Sequence, residues 1–136
     1  MANENPVIPV IDLFAGPGGL GEGFSTFEEK KTGWRPFRIA LSVEKDKYAY
    51  TTLLLRSFFR QFAKNQVPDI YYRVLKDEVT VQDLPIELAK DKNLAAKWKK
   101  ATTEAVLAEL GPNTHKNIRS RIKNALRIDR APSSPW

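Results

Sequence analysis

The sequence predicts an α/β fold, in which the start of an incomplete doubly wound parallel sheet is followed by a mostly helical segment. Two short runs rich in β-branched residues alternate with helix-like segments over the first 62 residues. A glycine-rich turn at residues 15–21 separates the first run from the first helix, and no third strand is evident downstream. Since about two parallel strands do not form a stable sheet by themselves, we expect the chain to be the front part of a larger domain.

The first half reads as strand, glycine turn, helix, strand, helix. Val7–Phe14 is mostly apolar, as expected of a buried parallel strand. A helix is predicted over residues 20–31, a second strand over residues 37–43 and a long helix over residues 46–62. The apolar residues of the long helix follow helical spacing and predict its buried face as Tyr48, Thr52, Leu55, Phe59 and Phe62.

The second half is predicted to be helical. Short helices are expected from about Val67 to Leu75 and after Thr80–Asp83, which resembles a capping box. A longer helix is predicted over Asn93–Leu110, and a last one runs from Asn113 or Thr114 to about Ile128. We therefore expect a cofactor-binding start of the domain at residues 1–63, a helical insertion-like segment at 64–130 and a connector at 131–136.

Composition excludes several classes of protein. The 136 residues include no cysteine and one histidine, which excludes a disulfide scaffold and a cysteine nucleophile from this chain and leaves little for a metal site. No apolar run suggests a membrane span and the N-terminus does not resemble a signal peptide, so a cytoplasmic location without a membrane partner is expected. The net charge of +6, mostly in residues 64–136, is compatible with a polyanionic partner.

The glycine turn matches a nucleotide-binding pattern in its letters. Residues 16–21 read Gly-x-Gly-x-x-Gly between a strand and a helix, with Glu44 at the end of the second strand to hold a ribose. Asp12 and Glu22 flank this turn, and two carboxylates there would repel the pyrophosphate of a dinucleotide. They favour a ligand with a cationic end, such as the ammonium and sulfonium of S-adenosylmethionine.

Two segments carry a family resemblance. Asp12–Phe24, with its Asp-Leu-Phe-Ala-Gly-x-Gly-Gly core, resembles motif I of the DNA cytosine-5 methyltransferases. Ser42–Ala49 resembles motif II of that family at the right spacing. The resemblance covers residues 7–62 and is weak beyond them. It implies a Rossmann-like methyltransferase fold, S-adenosyl-L-methionine as cofactor, and a cofactor site made of Asp12, Phe14, Ala15, Gly16, Pro17, Gly19, Leu20, Glu44 and Lys45.

The resemblance also implies a role for each part of that site. The ring of Phe14 would pack against the cofactor, and the backbone of residues 15–20 would wrap its methionine and ribose parts. Glu44 would accept hydrogen bonds from the ribose hydroxyls, while the aliphatic stem of Lys45 would cover the adenine. The family's third motif, an acid near the adenine amino group, has no clear match. Asp83 is a poor candidate because it is expected inside a helix.

The chemistry of the family needs residues that this chain lacks. Members attack cytosine with a cysteine in a Pro-Cys-Gln motif, assisted by Glu-Asn-Val and Arg-x-Arg motifs. The chain has neither of the first two, and Arg119–Arg121 matches the third in letters only. We therefore expect no catalytic residue in this chain and no activity of the chain alone. The complete enzyme would bind double-stranded DNA, methylate C5 of a flipped cytosine, and suit a restriction–modification system.

The last predicted helix has a basic face. Five basic residues spaced three or four apart would share it, and a DNA phosphate-contacting stripe is one interpretation; they are Lys116, Arg119, Lys123, Arg127 and Arg130. A solvated side of a packed helix is the other. For the whole chain, three alternatives to a fragment of one enzyme stay open: a split enzyme whose second subunit supplies the cysteine, a non-catalytic cofactor-binding module, and a fragment of an NAD-binding oxidoreductase.

Overall fold

The computed structural model describes residues 5–130, with side chains to residue 127, as a parallel sheet flanked by helices. The predicted α/β fold is confirmed. The predicted connector at 131–136 lies outside the described residues. In chain order the elements are β1 (Ile8–Asp12), α1 (Gly19–Thr26), β2 (Phe37–Glu44), α2 (Lys47–Phe59), α3 (Asp69–Leu75), α4 (Leu84–Leu88), α5 (Lys92–Glu104), β3 (Ala105–Leu107) and α6 (His115–Arg130).

The sheet has three strands in the described chain, in the order β1-β2-β3, and both pairs are parallel. Asp12 lies beside Ser42, and Glu44 lies beside Leu107. The third strand corrects the expectation of about two. Residues 105–107 were predicted as part of a helix reaching Leu110, because they continue the helical spacing of α5 and no glycine or proline precedes them. Only pairing with β2 marks them as a strand, since short apolar runs are ambiguous between helix and strand.

Helices cover both faces of β2 and β3. One core joins α2, α3, α4 and α5 to the face of the sheet that carries Ala105. The other joins Ile118 of α6 to Leu41, Val43 and Val106. Neighbouring residues of a strand point to opposite faces, so Ala105 and Val106 divide between the two cores. Burial on both sides explains why β2 is apolar along most of its length.

The buried face of α2 differs from the prediction. The helix buries Leu53, Leu54, Ser57 and Phe58, whereas Tyr48, a member of the predicted face, is 87% exposed. Apolar residues lie on more than one side of this helix, so spacing alone does not select its core side. The small Ser57 lies against α5, where its hydroxyl donates to the carbonyl of Ala101 over 3.4 Å. The buried side of α2 is therefore the one that packs against α5 and the core, with the small Ser57 at the contact.

The first helix ends earlier than predicted. It stops at Thr26, and Phe27 is extended. The hydroxyls of Ser25 and Thr26 both donate to the carbonyl oxygen of Glu22, over 3.3 and 2.6 Å, and such local bonds weaken the helical pattern. The last helix agrees with its prediction. Within residues 5–130, no helix has the length and apolar character that crossing a membrane requires.

Candidate cofactor site

The predicted site residues lie at the edge of the sheet where its parallel strands end. Asp12 is the last residue of β1 and Glu44 the last of β2. Leu107 ends β3 beside Glu44. In open α/β sheets, ligands bind outside these carboxyl ends. The fold therefore brings the glycine turn after β1 and the acid after β2 to one edge, although they are about 28 residues apart in the chain.

Backbone hydrogen bonds fold the glycine turn back onto β2. The amide of Ala15 donates to the carbonyl of Val43 over 3.0 Å, and the amide of Gly18 donates to the carbonyl of Ala15 over 3.0 Å. Gly16 and Gly18 have φ values of +56° and +92°, which residues with a Cβ atom rarely adopt. A Cβ on Gly18 would lie 3.0 Å from Leu53 Cδ1. The turn therefore needs glycine at both positions for its conformation, and at Gly18 also for its approach to α2.

The start of α1 is open to a ligand. Gly18 is its N-cap and provides no side-chain hydrogen bond, so the first amides of the helix are available to an anionic group. A Cβ built on Gly16 or Gly19 would meet no atom within 4 Å. The backbone of the turn therefore borders open space, which a wrapped cofactor requires.

Glu44 is held by three backbone amides. Its Oε1 accepts from Lys45 N and Asp46 N, each over 2.8 Å, and its Oε2 accepts from Gly16 N over 2.7 Å. The bond from Asp46 is the largest influence that lowers the pKa of this half-buried carboxyl; partial burial opposes it, and the bonds from Gly16 and Lys45 reinforce it. A carboxylate has about four lone-pair positions. One therefore stays open on Oε2, next to the glycine turn.

Glu109 is a candidate residue that sequence analysis missed. It follows β3, and the amide of the preceding Ala108 donates to the carbonyl of Glu44 over 2.9 Å. Its Oε1 lies 3.7 Å from Lys45 Nζ, and both side chains are mostly exposed. Sequence analysis missed this residue because it falls inside the helix predicted to reach Leu110. The short apolar run at residues 105–108, followed by an acid and then by Gly111-Pro112, is the signal that could have identified both the strand and the residue.

Asp12 and Phe14 occupy different surroundings. Asp12 is half-buried, and its Oδ1 accepts a long hydrogen bond of 3.4 Å from the amide of Phe14. This contact is the turn-stabilising type that a short acid makes with the backbone two residues on. Phe14 is 83% exposed. Leu20 and Tyr48 follow the same edge and are also exposed. An apolar rim at this edge is suited to an aromatic ligand.

Glu22 is paired within the protein. Its Oε1 accepts from Arg60 Nη1 over 2.6 Å, and the same guanidinium contacts Glu104 through Nη2. The argument that two carboxylates beside the glycine turn repel a phosphate is therefore weaker for Glu22, because Arg60 offsets part of its charge. Asp12, which forms no such ion pair within residues 5–130, carries the larger part of that argument. Burial is the main cause that raises the pKa of Glu104, and Arg60 opposes it.

The basic face of α6 forms where predicted. Lys116, Arg119, Lys123 and Arg127 are exposed, whereas Ile118 is buried in the core beneath the helix. The side chain of Arg130 lies outside the described residues. Arg119 also borders a shallow apolar groove between the end of β1 and α6, lined by Leu13, Leu110, Ile118 and Ile122. A role of these basic residues in DNA binding stays a prediction.

One known methyltransferase is similar to part of the chain. The chain is 36% identical over 67 residues, or 49% of its length, to the Type II methyltransferase M.Bpa9945I of Bacillus paralicheniformis. It spans only 13% of the length of that relative. No protein-family model matches the chain, and no solved structure matches it significantly. The similarity is therefore to about an eighth of a Type II methyltransferase, and it names neither a methylated base nor a cofactor.

Proposed function

We propose that the chain is the cofactor-binding part of an S-adenosylmethionine-dependent DNA cytosine-5 methyltransferase. The observation that carries this proposal is the hydrogen bond from the amide of Gly16 to the carboxylate of Glu44. This bond joins the two segments that resemble motifs I and II, which supports a single cofactor site formed by both. The similarity to a Type II methyltransferase supports the same class of reaction.

The residues at this edge fit the chemical groups of the cofactor. The open amides at the start of α1 suit the methionine carboxylate. The remaining acceptor position on Glu44 suits a ribose hydroxyl, and Phe14 and the stem of Lys45 offer apolar surface to the adenine. Glu109 takes the place of the acid that the third motif supplies, next to Lys45. The Lys45–Glu109 pair is so exposed that it contributes little stability, so exchanging it for a contact with adenine costs little.

The methyl transfer needs groups from beyond this chain. S-adenosylmethionine supplies an electrophilic methyl on its sulfonium, and cytosine C5 becomes a nucleophile only after attack on C6. This chain has no cysteine to make that attack. Its proposed part is to bind and orient the cofactor, and the chain alone is expected to be inactive. Detectable methyl transfer to DNA by the purified chain would contradict this.

A titration tests the cofactor site. Isothermal calorimetry of the chain with S-adenosylmethionine should detect binding, with NAD as the matched control ligand. Glu44→Gln should lose most of the affinity, since its amide places a donor where a hydroxyl and a backbone amide need an acceptor. Glu109→Gln should lose less, because that side chain is exposed. Binding of NAD alone would overturn the proposal in favour of an oxidoreductase fragment.

One subunit of a split methyltransferase is the second candidate. Within residues 5–130, β1 pairs with β2 on one side only, and Val7 and Ile8 are 46% and 48% exposed. An unpaired apolar edge of this kind suits pairing with another segment of polypeptide. Purification of the tagged chain from its host, followed by mass spectrometry, should then recover a second polypeptide that contains Pro-Cys-Gln. A reading frame that continues from residue 136 into Pro-Cys-Gln would contradict the split arrangement.

A further inference from the structure

Arg60 connects three helices behind the glycine turn. It is the C-cap of α2, its Nη1 lies 2.6 Å from Glu22 Oε1 in α1, and its Nη2 contacts Glu104 at the end of α5. The side chains of Arg60 and Glu104 are 16% and 14% exposed, and that of Glu22 is 33% exposed. Ion pairs with this little exposure are less screened by solvent than surface pairs.

Glu104 fixes the position of the guanidinium. Since Glu104 immediately precedes β3, whose residue Ala105 is buried, its backbone is held by the sheet. The two carboxylates bind different nitrogens of one planar group, so Arg60 cannot turn away from Glu22 without leaving Glu104. A guanidinium presents such donors in a fixed fork, which the single ammonium of lysine does not reproduce.

The first helix has few other attachments to the core. Its one buried residue is Gly21, which faces the Ile39 side chain. Phe24 and Phe27 contact the ring of Phe37 near the opposite end of the helix, with ring centroids 5.0 and 5.9 Å apart. The bond to Arg60 is therefore an ion pair that attaches α1 itself to the core, one helical turn from Gly18.

We propose that Arg60 is a positioning residue that holds the glycine turn and the start of α1 in the geometry needed to bind the cofactor. This inference rests on the proposed function and adds a residue that lies outside the sequence motifs. Arg60 acts through Glu22 and touches no ligand. By offsetting part of the charge of Glu22, it also reduces the repulsion between that carboxylate and the methionine carboxylate at the start of α1.

The test removes the ion pair between Glu22 and Arg60 by substituting Glu22, its partner in α1. Glu22→Ala should weaken binding of S-adenosylmethionine by calorimetry about tenfold or more, whereas Glu22→Gln, which keeps an acceptor for Arg60, should recover most of the loss. Glu28→Ala is the matched control, because it breaks the exposed pair with Arg35, 3.2 Å apart, at the far side of the same segment. All titrations are made well below the lowest melting temperature, where a merely stabilising contact would leave Kd unchanged.

A second measurement does not depend on the ligand. Amide hydrogen exchange of residues 19–26 should accelerate in Glu22→Ala and stay at the wild-type rate in Glu28→Ala. Wild-type Kd and wild-type exchange in Glu22→Ala would overturn the role of Arg60. If the unmodified chain bound no S-adenosylmethionine, the proposed function itself would fail, and the role in cofactor binding would fail with it. The two failures are therefore distinguishable.

Discussion

Substitution of Gly19 by alanine separates cofactor binding from folding. Gly19 is the first residue of α1, has no positive φ, and a Cβ there would meet no atom within 4 Å. Gly19→Ala should therefore leave the fold intact and stabilise it by about 0.4–1 kcal/mol, because alanine restricts the unfolded chain. The added methyl group would, however, occupy the open space through which the cofactor approaches the backbone.

The expected loss of affinity follows from the hydrogen bonds at that position. A methyl group that keeps the methionine carboxylate from the first amides of α1 removes at least one hydrogen bond to a charged group, worth about 1.5–3 kcal/mol. That corresponds to a roughly 10- to 150-fold rise in the Kd of S-adenosylmethionine. Calorimetric titration measures the Kd, and thermal unfolding checks that the variant is folded.

Gly23→Ala is the matched control for this experiment. Gly23 lies in the same helix, and its Cβ would also meet no atom within 4 Å, so the substitution should raise helix stability by roughly 0.5–1 kcal/mol. It lies one turn further from the glycine turn and should leave Kd unchanged. Equal affinities of Gly19→Ala and the unmodified chain would refute the placement of the cofactor at the start of α1. Equal losses of affinity in Gly19→Ala and Gly23→Ala would refute the claim that the cofactor binds only at the start of α1.

Three further outcomes are expected. Gly18→Ala should lower the free energy of unfolding by about 2–4 kcal/mol, from its φ of +92° and the 3.0 Å approach to Leu53; an unchanged melting temperature would contradict this. The lowered pKa of Glu44 means that its stabilisation is complete above the ordinary value of 4.5 and is lost as pH falls through the lower folded value. Urea unfolding at pH 7 and pH 3 should therefore show that the free energy of unfolding falls less between the two pH values in Glu44→Gln than in the unmodified chain. Equal falls in the two proteins would exclude the effect. Finally, glutamine at four basic positions of α6 should weaken DNA binding by the complete enzyme and flatten its salt dependence, and an unchanged slope would remove their proposed role; the positions are Lys116, Arg119, Lys123 and Arg127.

Sequence patterns predicted those elements that a stretch of a few residues is enough to specify. The glycine turn, β1 and β2 follow from glycine spacing and runs of apolar residues. Asp46 caps α2 as its type suggests, with its Oδ1 accepting from Ala49 N over 2.8 Å. The strand β3 could not be identified in this way, because three residues that also fit a helix become a strand only by pairing with β2. Missing the strand also concealed Glu109.

Long-range contacts explain the other differences. The buried side of α2 faces α5, where Ser57 contacts Ala101, 44 residues later. The pairing of Glu22 with Arg60 joins residues 38 apart and weakens the electrostatic argument drawn from Glu22. No spacing rule relates such pairs, since the ions meet only after α1, α2 and α5 have packed.

The sequence by itself determined the α/β class, the glycine turn, the acid after the second strand and the absence of a cysteine nucleophile. These properties depend on residue type and near neighbours, so they can be identified without the fold. Only the tertiary structure decided that Glu44 binds the amide of Gly16, that Glu109 lies beside Lys45, and that Arg60 joins α1 to α5. Each of these contacts joins elements that parallel pairing or helix packing brings together, and the energy of such packing is distributed over many residues that no short segment contains.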